Sequence, residues 1–280
     1  EMANVQEVGA ELMDALRRGG QEPTPSKTVA VGLVDGLSVS EEAVASMVSG
    51  VLGEIQLFGG SAGDGLRFRR TEVLHGGELR ADRAVLALIQ TDLPFTVFKA
   101  QHFIPSTRKM VVTGAVTRDR RVTEINGEPA GREYARMVGV AVSELTPAVF
   151  ATSPVVVKVG GDAYVRSIQK LNEDESLTFY CAIDEGIVLT LAEGVDLIEH
   201  LHASFEQLRA KVGPLVLVLG CDCILRKLEV QRKGIGEEVG RVLAANQVVG
   251  FSTYGEQWNG MHVNQTFTGV AIGAEPGFHA

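Results

Sequence analysis

Two stretches, one towards each end of the chain, run through the same order of signals, and this repetition constrains the fold more than any single motif. In the first, a strand-like run Thr28–Val34 ends near Gly32 and Asp35, and a helix opens with Glu41-Glu42. A short strand at Ile55–Phe58 then leads into Gly59-Gly60-Ser61-Ala62-Gly63-Asp64, which reads as a loop. In the second, Leu215–Leu219 leads to Gly220 and Asp222, a helix opens with Glu237-Glu238, and a short strand leads into Gly250-Phe251-Ser252-Thr253-Tyr254-Gly255-Glu256. Each loop is followed by an aromatic residue, a turn and a strand of small apolar residues, Ala84–Ile89 and Gly269–Gly273. A strand–helix–strand order needs a crossover, and with it a parallel strand pair with a helix on one face. Self-similarity of this kind points to duplication. The expected fold is α/β: two related, pseudo-duplicated lobes, 1–150 and 151–280, each with a mixed β-sheet and flanking helices, their glycine loops facing one shared cleft.

The remaining segments fit around these units. Val5, Leu12, Met13 and Leu16 recur at helical spacing, predicting an amphipathic helix over 3–18. Leu66–Leu74, Ala84–Thr91 and Phe95–Lys99 read as strands, and Met110–Thr117 with Arg121–Ile125 as a hairpin closed at Asp119. A helix carrying Tyr134 and Met137 inward follows Pro129. The stretch 154–191 reads as a strand meander, Val195–Lys211 as a long helix, and Gly236–Ala245 as a polar one.

Charge and cysteine content exclude several classes. A net charge of −9 and a pI near 5.3 disfavour nucleic acid or an anionic membrane surface as partner. The clusters Arg67, Arg69, Arg70 and Arg118, Arg120, Arg121 flank turn signals and read as solvated hairpin tips. No apolar run approaches the ~20 residues that span a bilayer, and the first twenty residues lack a signal peptide's apolar block, so a cytoplasmic location is expected. Cys181, Cys221 and Cys223 are too few for a disulfide framework, and the one-residue gap between the last two is too tight for a zinc knuckle.

The chemistry-bearing residues concentrate in Val248–Ile272. If Met261–Phe267 alternates as a strand, His262, Asn264, Thr266 and Thr268 share one face, beside a loop holding Tyr254, Glu256 and Trp258. That face is either a pocket wall or a solvated sheet surface. His262, with Phe251, Trp258 and Met261 close in sequence, supplies what a haem pocket needs: an axial donor and apolar walls. An ordinary strand end would hold the same residues. His102 is the second candidate. Gly59-Gly60-Ser61-Ala62-Gly63 matches the G-x-S-x-G of serine hydrolases. That motif requires a helix after the serine, and Asp64–Arg69 alternates like a strand. Cys223 as a thiol nucleophile lacks a histidine placed beside it; a small-molecule hydrolase using Ser61 or Cys223 stays open as an alternative.

GGSAGDGLRF (59–68), GFSTYGEQWNGMHVNQTFTGVAIG (250–273), Glu124–Ala130 and Gly220–Arg226 together resemble the FIST family over about Val29–Gly273. The resemblance implies a cytoplasmic bacterial sensory module with FIST N and FIST C parts, binding a small-molecule ligand such as an amino acid. It also implies control of a histidine kinase, a chemotaxis receptor or a cyclic-di-GMP enzyme. Similarity to the stand-alone subfamily implies haem and nitric oxide; the resemblance does not assign the axial ligand, and His262 is the expected one from its neighbours, with His102 in second place. The pocket is expected to draw on Tyr254, Trp258, Ser61, Asp64, Ser252, Glu256 and Asn264. Family members begin with a further strand–helix unit, so a shorter variant or a missing amino-terminal part is expected here.

Overall fold

A computed structural model describes residues 5–19 and 22–274. In the first third, α1 (Val5–Arg18) precedes β1 (Thr28–Asp35), α2 (Glu41–Leu52), β2 (Gln56–Ala62), the small hairpin β3 (Val73–His75) and β4 (Glu78–Arg80), β5 (Ala84–Gln90) and β6 (Phe95–Ala100). The middle holds β7 (Phe103–Val116), β8 (Arg121–Ile125), β9 (Glu128–Pro129), α3 (Ala130–Val138), α4 (Pro147–Thr152), β10 (Val155–Val159), β11 (Asp162–Arg166), β12 (Ile168–Leu171), β13 (Leu177–Phe179) and β14 (Val188–Gly194). The last third runs α5 (Leu197–Val212), β15 (Leu215–Cys223), α6 (Ile224–Lys233), α7 (Gly236–Ala245), β16 (Val248–Thr253), β17 (Glu256–Trp258), β18 (Met261–Val263) and β19 (Phe267–Gly273). The side chains of Val5, Leu12 and Leu16, expected on one stripe of α1, lie outside the described residues.

The two repeats fold alike. β1 pairs parallel with β2 and antiparallel with β5; β15 pairs parallel with β16 and antiparallel with β19. Gly32 stands opposite Gly59 in one unit and Gly220 opposite Gly250 in the other. Both pairs mark backbone too close for a side chain: a Cβ on Gly59 would lie 1.8 Å from the Gly32 carbonyl oxygen, and one on Gly250 2.1 Å from that of Gly220. The glycine runs expected as loops are therefore strands, β2 extending to Ala62 and β16 to Thr253. They carry glycine because neighbouring strands press on them.

Each repeat completes the other's sheet. The first is ordered β18-β17-β2-β1-β5 and so includes a hairpin from the far end of the chain. The second is ordered β16-β15-β19-β6 and takes β6 from the first third. The two sheets face each other through Val29, Phe58, Cys221 and Val270, with Leu219, Val97 and Ile272 at the margin. On the outer face of the second sheet, α5 buries Leu197, Leu201, Phe205, Leu208 and Val212, an apolar stripe at helical spacing. Each such side chain contributes about 1.5–3 kcal/mol. Asp196 caps α5 by accepting from the Glu199 N–H at 2.8 Å. The middle of the chain forms a third, antiparallel sheet, β11-β10-β14-β7-β8-β13-β12 with β9 beside β8. Its core holds Met110, Tyr134, Phe150, Phe179 and Leu189.

Two local expectations are corrected, and one helix appears that the sequence reading left out. Leu66–Leu74 is not a strand; Asp64 gathers the N–H groups of Phe68, Arg69 and Arg70 and holds the segment as a loop, with only Val73–His75 paired. Residues 224–233 form α6, a helix whose buried face carries Arg226 and Glu229 beside Ile224 and Leu225, which hides its apolar period. Arg120 does not sit on a solvated tip: its backbone is left-handed (φ 50°) and its guanidinium is buried. Among the described residues no helix is long and apolar enough to cross a membrane.

Candidate ligand-binding site

The parallel strands β1 and β2 end where α2 begins, the place in an α/β unit where strand ends and a helix amino terminus converge. Here that place is roofed by other elements. β17 pairs with β2 (Gln257 opposite Gly59), and β18 pairs with β17 (His262 opposite Gln257), so Ser61, Gln257 and His262 lie on one face of the first sheet. All three are buried, as are Asn264, Gln265 and Ser167 beside them. His262 was expected on a continuous strand whose polar face was open to question; the strand instead breaks after Val263, and none of the polar groups from 262 to 268 is solvated.

Hydrogen bonds join these side chains into a buried polar cluster (the chamber). Gln257 Nε2 donates to Ser61 Oγ at 3.1 Å and lies 3.5 Å from His262 Nδ1. Asn264 Nδ2 lies 3.4 Å from His262 Nε2, while Asn264 Oδ1 accepts from the Ser167 N–H at 3.4 Å. Ser167 Oγ donates to Gln265 Oε1 at 3.0 Å, and Gln265 Nε2 donates to the Ala151 carbonyl at 2.7 Å. Burial pushes the His262 imidazole below its usual range, and Glu41 and Glu42 pull the other way without overcoming it. A neutral imidazole accepts at one nitrogen and donates at the other. Amide N–H groups face both, so one contact is unsatisfied, and Gln257 Oε1 has no partner among the described residues. Gly255 packs against the ring, where a Cβ would lie 2.3 Å from His262 Cε1. That close approach, not a positive φ, explains the glycine, and in the turn that follows it is Asn259 that takes positive φ (52°).

Charges flank the chamber. Arg120, from the turn before β8, donates to Glu41 Oε2 at 2.6 Å, to Glu42, and to the Tyr180 carbonyl at 2.7 Å; Glu42 also accepts from the Ala182 N–H at 2.6 Å. Arg166, at the end of β11, forms no ion pair among the described residues. Its charge bears on both His262 and the buried Cys181 thiol.

The shared cleft expected between the glycine loops is closed. Ser61 N–H donates to the Gly255 carbonyl at 2.8 Å and Tyr254 N–H to the Ser61 carbonyl at 3.0 Å. Gly60 faces Thr253 so closely that a Cβ there would sit 2.2 Å from its methyl group. Among the residues named from the sequence, Ser61, His262 and Asn264 come together. Tyr254 and Asp64 meet one another at the 64–70 loop instead, Tyr254 Oη bonding to the Asp64 carboxylate. Glu256 and Trp258 alternate onto the opposite face of the hairpin, towards the second sheet, and Ser252 is exposed on edge strand β16. Glu256 is enclosed by Thr253 Oγ1 (2.6 Å), Thr266 Oγ1 (2.6 Å) and Thr266 N–H (3.2 Å), and burial pushes its carboxyl up to about 8. The sequence reading missed Gln257, Glu41, Glu42, Arg120, Arg166 and Ser167. The acidic opening of α2 was visible, but nothing in the sequence placed it beside residue 262.

Neither histidine fits haem. Trp258 and Met261 project from the hairpin face opposite His262, and Phe251 is 53% exposed on β16, so no apolar slot surrounds the ring. His102 is engaged at both nitrogens: Arg226 Nη1 lies 3.0 Å from Nδ1 and Glu229 Oε2 2.9 Å from Nε2. Among the described residues no group of three or more His, Cys, Asp or Glu side chains could hold a metal ion. The hydrolase alternative loses its geometry as well, because Ser61 lies within a strand and burial pushes the Cys223 thiol well above its usual range.

Residues 1–128 match the family model described as the FIST N domain, and residues 130–259 match that of the FIST C domain. No curated protein and no solved structure matches.

Proposed function

Because the chain carries a FIST N domain followed by a FIST C domain, a pairing of sensory domains that bind small ligands in signalling proteins, we propose that it senses a small polar molecule held in the chamber around His262. The observation that carries this reading is the set of open valences in a fully buried place: Gln257 Oε1 and one nitrogen of the His262 ring. Buried polar groups are ordinarily paired, and an unpaired acceptor beside a spare donor suits a guest with both functions. Arg166, without a carboxylate partner among the described residues, suits an anionic end on that guest, and the Glu41–Glu42 pair a cationic one. An amino acid has this combination; haem does not.

Signalling follows from the closed geometry. The hairpin β17–β18 belongs by sequence to one repeat and by pairing to the sheet of the other, so a guest that enters must loosen the contacts joining them. A ligand that binds the loosened state more tightly shifts the population towards it, and a partner such as a histidine kinase or cyclic-di-GMP enzyme reads the change. Thermal unfolding in the presence of amino acids, small dicarboxylates and, separately, haem tests the reading. A polar ligand at one hundred times its Kd adds about 2.7 kcal/mol, a rise of several degrees, and His262→Ala or Gln257→Ala removes the response. Stabilisation by haem with a Soret band, unaffected by amino acids, would replace this reading with the haem one.

A further inference from the structure

The two repeats differ at one sheet edge. In the first, β2 is covered by β17: the Asn259 N–H donates to the Leu57 carbonyl at 2.8 Å, and the Ser61 N–H to the Gly255 carbonyl at 2.8 Å, with Gln257 opposite Gly59. Leu57, Gly59 and Ser61 are therefore the positions whose backbone groups point away from β1. Aligned on the glycine pairs, Gly59 with Gly250, they correspond to Val248, Gly250 and Ser252. The same phase holds in β16. The Val218 N–H donates to the Gln247 carbonyl at 3.0 Å, so in this parallel ladder Val249 and Phe251 turn their backbone groups to β15. The N–H and C=O groups of Val248, Gly250 and Ser252 face outward, and among the described residues no strand covers them.

Nothing blunts this edge. β16 carries no charge and no proline, whereas β6 carries Lys99, β11 Asp162 and Arg166, and β12 Lys170. On β5, also uncharged, Val85, Leu86, Leu88 and Ile89 are partly buried; on β16, Val249 is 61% and Phe251 53% exposed. These two share a face with their ladder neighbours Leu219 and Cys221, so they extend the apolar layer between the two sheets beyond its margin.

We propose that β16 pairs with β16 of a second copy of this chain, antiparallel about a two-fold axis at Gly250. Antiparallel pairing of identical strands is self-complementary, and it leaves no edge open for a third copy. Gly250 then exchanges both hydrogen bonds with its counterpart, and Val248 does so with Ser252 of the second copy. Val249 falls opposite Phe251 of the second copy as a non-hydrogen-bonded pair, the kind in which side chains approach most closely. An aromatic residue facing a β-branched one is a favourable cross-strand pair, and the two-fold makes two of them. Because β16 is uncharged, the axis brings no like charges together. Two six-residue strands bury little beyond these side chains, so the contact belongs to the small, reversible class below about 1,200 Å² in total.

Sedimentation velocity of the full chain over a range of concentrations is expected to show a reversible monomer–dimer equilibrium. Phe251→Lys, at a position already exposed, should keep the parent's circular dichroism. It should raise the dimer Kd about tenfold, since it removes both aromatic pairs. Oxidative cross-linking reads the register. Chains with Val249→Cys and chains with Phe251→Cys should link when mixed, because opposite residues of a non-hydrogen-bonded pair lie within disulfide reach. Either variant alone should not link, because its two thiols lie diagonally across the axis, beyond about 7 Å. The three native cysteines are buried and do not compete. A chain that stays monomeric at every concentration overturns the proposal and leaves the edge to a strand of another protein. A dimer that Phe251→Lys does not weaken overturns it as well, as do cross-links that are absent from the mixture or equally strong within each variant.

Discussion

The hydroxyl of Tyr254 reaches Asp64, 190 residues earlier, and the two residues lock corresponding segments of the two repeats together. Asp64 N–H donates to Tyr254 Oη at 3.2 Å, the Gly65 carbonyl lies 2.6 Å from the same oxygen, and the carboxylate also holds the N–H groups of Phe68, Arg69 and Arg70. These bonds hold the Asp64 carboxyl well below the usual carboxylate range, the Tyr254 bond contributing most. The ring of Tyr254 packs on Phe68 and Tyr180, tying the loop to the third sheet as well.

Tyr254→Phe retains the ring and removes the bond. Loss of the hydroxyl is expected to cost on the order of 1 kcal/mol in urea unfolding. The more specific readout is cleavage by trypsin after Arg67, Arg69 and Arg70, all exposed on the loop. Cleavage should quicken there while other sites keep their rates; an unchanged rate at these three positions would show that Asp64 holds the loop without Tyr254.

Two glycines give opposite expectations on replacement. Gly255→Ala places a methyl group 2.3 Å from His262 Cε1 and 2.8 Å from Asn264 Nδ2, both buried and neither free to withdraw. Overpacking of this kind costs about 1–3 kcal/mol. Gly50 lies in α2, exposed, with nothing within 4 Å of an added Cβ. Gly50→Ala should stabilise by about 0.5–1 kcal/mol through helix propensity and a less flexible unfolded chain. Melting temperatures of the pair check both signs.

Glu256 makes stability fall as pH rises from mildly acid to mildly alkaline. Its folded carboxyl is pushed up to about 8 by burial, far above an unfolded glutamate, so the folded state retains a proton that the unfolded state has lost. Stability is full below the unfolded pKa and declines as pH rises through the folded one. The decline is on the order of a few kcal/mol between pH 5 and 9. Glu256→Gln removes the ionisation while keeping polar groups for Thr253 and Thr266, so its unfolding midpoint should fall less over that interval. Equal declines in the two proteins would mean that another group carries the dependence.

Much of the architecture was legible because it rests on local periodicity. The predicted start and end of α2 match, α5 starts and ends within two residues of expectation, and the duplicated order of elements appears as two sheets with corresponding glycine pairs. The glycine runs were misleading because glycine marks both turns and strands under close contact, and sequence alone does not distinguish them. α6 was hidden because its buried face carries Arg226 and Glu229, charges paired with Asp222 and Lys233 four residues away and covered by His102 from far along the chain. The site was half legible. His262, Asn264 and Ser61 stand in it, but alternation along β17 and β18 turned Glu256, Trp258 and Met261 away, and Arg120 entered through a left-handed turn that its neighbours Arg118 and Arg121 gave no reason to expect.

A chain of charges through His102 sets the response to acid. Asp222 accepts from Arg226 Nε at 2.6 Å, Arg226 Nη1 faces His102 Nδ1, His102 Nε2 faces Glu229, and Glu229 accepts from Lys233 Nζ at 2.6 Å. Arginine only donates, so Nδ1 must accept and the proton sits on Nε2, pointing at Glu229. Burial holds this imidazole below its usual range, Glu229 opposing and Arg226 assisting. A histidine kept neutral in the folded state stabilises fully above its unfolded pKa, near 6.5, and less as pH falls towards the folded value. His200 and His262 are shifted in the same direction, so the measurement is a comparison: His102→Gln should lose less stability between pH 7.5 and 5.5 than the parent chain. Arg226→Met should lower stability at both pH values by about 3 kcal/mol, because it leaves the His102 acceptor and Asp222 without their donor in a largely buried place. Nitrogen chemical shifts of the ring give an independent check. An unprotonated Nδ1 at neutral pH supports the tautomer, and a protonated one would place the Arg226 contact in error and remove the reason to expect an acid-sensitive step here.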